Sequence, residues 1–123
     1  VQYAHARACS VLRQAGEDAA AEAATDRLDH PAEMEVLRHL ASWPKLVISA
    51  ANAHEPHRIA FFLMDLAASF HALWTAGREA PELRFIREDD AALTAARLRL
   101  VKATALVIRS GLGVLAIEAR EEM

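Results

Sequence analysis

Apolar residues in this chain recur every three or four positions, in runs broken at Gly16, Pro31, Pro44, Pro56, Gly77, Pro81 and Gly111. That period belongs to helices that each bury one face, and no alternation of period two lasts more than a few residues. With four glycines and four prolines in 123 residues, and alanine, leucine and arginine abundant, breakers are few and helix formers many. The expected fold is all-α, a helical bundle of about five helices forming a single domain over residues 1–123.

The first run, residues 1–15, places Val1, Ala4, Ala8, Val11, Leu12 and Ala15 on one face and Tyr3, Arg7, Ser10 and Gln14 on the neighbouring one, with Gly16 as its end. Residues 17–29 are rich in alanine and acid and read as a solvated connection. Pro31 suits a first helical turn, and Met34, Leu37, Leu40 and Ala41 give a second helix that stops before Pro44. A short third helix follows over about 44–53. Pro56 opens a long fourth helix with Ile59, Phe62, Leu63, Leu66, Phe70 and Leu73 as its stripe and Gly77 as its end signal. Residues 77–87 read as a loop. Glu88, Asp89 and Asp90 favour a helix N-terminus, and Leu93, Ala96, Leu100, Ala103 and Val107 form the stripe of the fifth helix, which ends at Gly111.

Charge limits the function classes. A net charge of −3 argues against indiscriminate nucleic-acid binding, which calls for a strongly basic surface. All the basic residues except Lys45 and Lys102 are arginines, the side chain suited to bidentate phosphate contact and to stacking on bases. Arg97, Arg99, Lys102 and Arg109 fall in an acid-free stretch, 91–117, and are candidates for a local positive stripe. The most apolar windows, 59–66 and 103–108, are interrupted by charge, so no span of roughly 20 apolar residues is expected to cross a membrane. A single cysteine, Cys9, forms no internal disulfide, which fits a reducing, cytoplasmic location. The chain opens at Val1 directly into a helical pattern and reads as a piece of a longer protein.

Catalytic signatures are missing. Gly16, Gly77, Gly111 and Gly113 are too dispersed for a phosphate-cradling loop, and no serine sits in a nucleophile-elbow pattern. Cys9, on an alanine-rich face, fits a small apolar filler. His54 and His57 at i, i+3 are the best metal candidates, but no third ligand follows at matching spacing, and a surface or capping role suits them better. The expectation is no metal and no catalytic residue. Interleaved aromatics and arginines carry more: Phe70, Trp74 and Arg78 are spaced i, i+4, i+8, as Tyr3 and Arg7 are spaced i, i+4. Aromatic faces stack on unpaired bases and guanidinium groups hold phosphates. Core packing explains the same spacing, particularly for Phe70, in line with Leu63, Leu66 and Leu73; Trp74 lies at the edge of that stripe.

The opening Val1-Gln2-Tyr3-Ala4-His5-Ala6-Arg7 resembles the start of the C-terminal DALR anticodon-binding domain of arginyl-tRNA synthetases, which are class I aminoacyl-tRNA synthetases. The resemblance continues through Glu55-Pro56-His57-Arg58-Ile59-Ala60, Asp65-Leu66-Ala67 and Phe70-His71. It resumes at Ala96-Arg97-Leu98-Arg99-Leu100-Val101-Lys102-Ala103 and Gly111-Leu112, and ends at Glu121 and Met123. Leu73-Trp74-Thr75 departs from the family's usual F-Y-N, Ser110 from its asparagine, and Arg120-Glu121-Glu122-Met123 from its P-E-R-M ending.

This resemblance implies a helical bundle that recognises the anticodon loop of tRNA-Arg, as part of an arginine–tRNA ligase whose separate catalytic domain uses ATP and Mg. The motifs of that catalytic domain are not in this chain, so the chain alone is expected to be no enzyme and to need no cofactor. Its implied partners are tRNA-Arg and the catalytic domain of the same synthetase, with a monomer as the expected state. Carried over position by position, the implied anticodon contacts are Tyr3, Arg7, Phe70, Trp74 and Met123, with Arg78 and Arg109 as candidates for the RNA backbone. The competing expectation is a helical protein-interaction or oligomerisation module without nucleic-acid binding, its contact built on an exposed Phe70–Trp74 edge.

Overall fold

The computed structural model describes residues 1–16 and 27–123. Among them are four α-helices, α1 (Gln2–Ala15), α2 (Pro31–Ala53), α3 (His57–Glu79) and α4 (Ala91–Val114), with a 3-10 turn at Pro81–Leu83. The connection expected over 17–29 lies, for residues 17–26, outside the described residues.

The second and third expected helices are one. Pro44 sits inside α2, where a proline removes a backbone hydrogen bond and typically costs about 3 kcal/mol. The helix continues because the residues around Pro44 are anchored on α3: Trp43 stacks on Phe62 at 5.3 Å, with Leu40 and Leu46 packed against the core. Tertiary burial outweighs the local break. At its start α2 carries a capping box, in which the His30 side chain accepts from the Ala32 N–H and Glu33 Oε1 accepts from the His30 N–H.

Two expected stop signals are close-approach sites instead. Helix α3 runs past Gly77 to Glu79, and a Cβ at Gly77 would meet the Leu83 carbonyl oxygen at 3.1 Å. Helix α4 runs past Gly111 to Val114, and a Cβ there would stand 2.8 Å from Leu63 Cδ2. Glycine lets the 3-10 turn lie on α3 and lets α4 cross it closely. The acidic start of α4 is as expected: Asp90 caps it by accepting from the Leu93 N–H. The Arg27 guanidinium and that N–H hold the Asp90 carboxyl down at about 2.

Helix α2 packs chiefly on α3, and α1 chiefly on α4. The core between these pairs takes Leu63, Leu66, Phe70 and Leu73 from α3, Ala96, Leu100, Val101 and Ile108 from α4, Val36 from α2, and the fully buried Ala4 and Ala8 from α1. Contrary to the sequence expectation, α3 is by length and composition apolar enough to cross a membrane. Its charged residues sit mainly near its ends, and its apolar stripe is the centre of this core.

A buried ion pair bolts the bundle. Arg97 Nε donates to Glu33 Oε2 at 3.0 Å, with both side chains at least 95% buried. Arg97 Nη1 also donates to the carbonyls of Glu82 and Arg84, tying α2, α4 and the segment after α3 together. The positive stripe expected along 97–109 is thinned to its middle: Arg97 points inward and Arg109 is engaged by Glu121, while Arg99 and Lys102 stay exposed.

Beyond α4 the chain reverses. Ala116 adopts a left-handed conformation (φ 61), and the Ile117 N–H returns to the Leu112 carbonyl. This sends the C-terminal tail back across α1.

Candidate nucleic-acid interface

Tyr3, Arg7, Ser10 and Arg13 follow one another at three- and four-residue steps along α1, so they share a face. His71, Trp74 and Arg78 do the same on α3. The two faces and the tail enclose an open groove of about 550 Å³, lined by Tyr3, Arg7, Arg13, Trp74, Arg78 and Met123, with Glu121 and Glu122 at the tail side. Tyr3 is 48% exposed, Trp74 half-buried and Met123 76% exposed.

Arg7 is the centre of this groove. Its guanidinium carbon lies 4.3 Å from the Tyr3 ring centroid and 4.7 Å from that of Trp74. One arm donates to His71 Nδ1 and the other to the Tyr3 hydroxyl, each at 3.1 Å. The Tyr3 ring stacks in turn on His71 at 5.7 Å. Cation–π contact and two hydrogen bonds fix the guanidinium without a carboxylate, so among the described residues its charge is held but not neutralised. Accepting at Nδ1 requires a neutral His71 ring protonated at Nε2. Burial and the Arg7 charge both push the His71 pKa below its usual range, which favours that state.

Five of the seven expected contact residues, Tyr3, Arg7, Trp74, Arg78 and Met123, meet in this groove. Phe70 does not. It is 1% exposed, lies in the core and stacks on Phe85 at 5.7 Å, so its ring offers no free face to a base. The exposed Phe70–Trp74 edge of the competing expectation is likewise absent, because only Trp74 reaches the surface. Arg109 is exposed but stands outside the groove lining and binds the Glu121 carboxylate at 3.1 Å. Two residues of the site escaped the sequence reading: Arg13, which lines the groove two further steps of three from Arg7, and His71, which supports Arg7 and Tyr3 without lining it and was read only as part of a motif.

On the far side of Trp74 and Arg78 lies a second, larger groove of about 1110 Å³, bounded by Gln14 and the segment 81–89. Trp74 and Arg78 form the ridge between the two, and Trp74 leans on the buried Phe85 at 6.1 Å. Among the described residues no three His, Cys, Asp or Glu side chains cluster as a metal ligand set requires. Burial raises the Cys9 thiol pKa, leaving it a protonated packing group.

A family model described as the DALR anticodon binding domain matches residues 1–123. The chain belongs to that family. This DALR domain is 53% identical to arginine–tRNA ligase of Xanthobacter autotrophicus, over an alignment covering all of this chain and 22% of that protein. It is equally similar, at 53% identity and 22% coverage, to arginine–tRNA ligase of Rhodospirillum rubrum. Among solved structures, Thermus thermophilus arginyl-tRNA synthetase matches with a TM-score of 0.78 and 33% identity, over 99% of this chain and 20% of that one. The DALR domain thus spans about a fifth of the length of the relatives it matches.

Proposed function

We propose that this DALR domain grips the anticodon loop of tRNA-Arg inside an arginyl-tRNA synthetase, in the cytoplasm, while the rest of that synthetase carries out ATP- and Mg-dependent arginylation. The observation that carries the reading is Arg7, held between Tyr3 and Trp74 with its charge unpaired. A splayed-out base needs a flat surface and the adjoining phosphate needs a fixed cation; this groove offers both within one van der Waals layer. Met123 adds a polarizable thioether at the rim. Tyr3, Arg7, Trp74, Arg78 and Met123 are the proposed contact residues, and Arg109 acts on the tail through Glu121. The groove is built from one chain, so a monomer suffices.

Titration of the full-length synthetase with tRNA-Arg and with an unrelated tRNA tests the reading. Preference for tRNA-Arg is expected, and Trp74→Ala should weaken binding by about 1–3 kcal/mol, the usual loss for one stacked base. Replacing Arg7 by glutamine should also reduce the steepness with which affinity falls as salt rises. Equal affinity for both tRNAs, with Trp74→Ala silent and the fold intact, would leave the groove without this role.

A further inference from the structure

The tail that forms one wall of the groove is fastened in part by residues that are not in the groove. The Gln2 side chain spans two backbone positions of the tail: its Nε2 donates to the Glu118 carbonyl and its Oε1 accepts from the Arg120 N–H, both at 2.8 Å. His5, one turn on and 0% exposed, donates its Nδ1–H to the Arg120 carbonyl at 2.6 Å. Both backbone groups of Arg120 are thus held by the same face of α1. Farther along, both Arg13 Nη groups donate to the Glu121 carbonyl, at 3.3 and 3.4 Å, and Arg109 holds the Glu121 carboxylate. Neither Gln2 nor His5 lines the groove.

We propose that Gln2 and His5 are positioning residues for the RNA groove: by clamping the backbone at Arg120 they set where Glu121, Glu122 and Met123 stand, and act on RNA binding only through that wall. The inference rests on the groove being an RNA site. Its physical basis is preorganisation. The tail after α4 has no regular structure of its own among the described residues, and every residue ordered at the moment of binding loses backbone entropy. A clamp that orders it beforehand removes that loss from the binding step.

The test uses full-length synthetase and an RNA hairpin with the anticodon stem and loop of tRNA-Arg. Gln2 lies at a helix start and is only partly buried, so Gln2→Ala should leave the fold standing. It is expected to speed hydrogen exchange at the Arg120 amide and to weaken hairpin binding roughly three- to ten-fold, the equivalent of one or two net hydrogen bonds. Removing residues 121–123 should also weaken binding, and in that shortened protein Gln2→Ala should cost nothing more, because no wall is left to position. For His5, whose alanine variant leaves a cavity, His5→Asn restores a side-chain N–H near the lost donor and should recover part of the affinity that His5→Ala loses. An equal loss from Gln2→Ala with and without residues 121–123 would overturn the inference, as would faster exchange at Arg120 with unchanged affinity. Failure of the unaltered protein to bind the hairpin would overturn the functional reading and this inference with it.

Discussion

Arg97 and Arg7 present the same guanidinium to opposite surroundings. Arg97 is 4% exposed, paired with Glu33 and bonded to two carbonyls, so its hydrogen-bonding capacity is turned inward. Arg7 is half-buried, held by rings and by a neutral imidazole, and open on one side. A buried arginine needs a carboxylate, because desolvating an unpaired charge is prohibitive. Where aromatic faces and hydroxyls position an arginine at the surface instead, its charge stays available to a ligand. The partner, not the residue type, separates the bolt of this bundle from its groove.

The largest effect should come from breaking the bolt. Arg97→Ala leaves Glu33 buried and uncompensated and is expected to destabilise the fold by about 3–5 kcal/mol, measured by denaturant unfolding. Arg7→Ala should cost less, since it leaves no buried charge behind and loses only surface cation–π contacts of roughly 0.5–1 kcal/mol and two exposed or half-exposed hydrogen bonds. Comparable losses from the two would erase the distinction. The double change Glu33→Met with Arg97→Met sharpens it: replacing both charges by apolar chains should restore most of the lost stability.

Next in size is the contrast along α3 between Phe70 and Trp74, one turn apart. Phe70→Leu creates a void beside Phe85 in the core and should cost on the order of 1–3 kcal/mol of stability while leaving RNA affinity of the folded protein nearly intact. Trp74→Ala should show the reverse balance, losing more affinity than stability. Loss of affinity in Phe70→Leu beyond what unfolding explains would mean that the core position reaches the ligand after all.

The sequence made one side of this comparison much more legible than the other. Spacing alone puts Tyr3 with Arg7 and Trp74 with Arg78, because both pairs lie on single helices where i, i+4 neighbours share a face. It does not place Arg97, whose partner Glu33 is 64 positions away. The acid-free run that invites a positive stripe says nothing about which arginine turns inward. Pro44 and Gly77 misled for a related reason: as local breakers they predict ends, whereas Trp43 stacking on Phe62, and the turn packed on Gly77, are tertiary facts that override them. Phe70 and Trp74 share a spacing and differ only in what α1 and the segment 81–89 leave uncovered. The tail was readable as a family ending but not as a clamped wall, since the Gln2 and His5 contacts span more than a hundred residues.

The smallest expected effect tests how the Arg7 cluster is held. His71 is partly buried and lies beside the Arg7 charge, so its pKa in the folded chain should lie below the ordinary 6.5 of an exposed histidine. The unfolded chain then takes up a proton before the native one does. The stability contributed by this site is fully present above about pH 6.5 and declines as pH falls through that value toward the lower native pKa. An NMR titration of the imidazole should find the depressed value, and in Arg7→Gln it should climb back toward 6.5 as the nearby charge is removed. A titration midpoint at or above 6.5 in the unaltered chain would mean that His71 is solvated or protonated, that its Nδ1 does not accept from Arg7, and that the guanidinium rests on the two rings and the Tyr3 hydroxyl alone. Arg7 would then be a mobile cation at the groove mouth, with the ordering cost still to be met when RNA arrives.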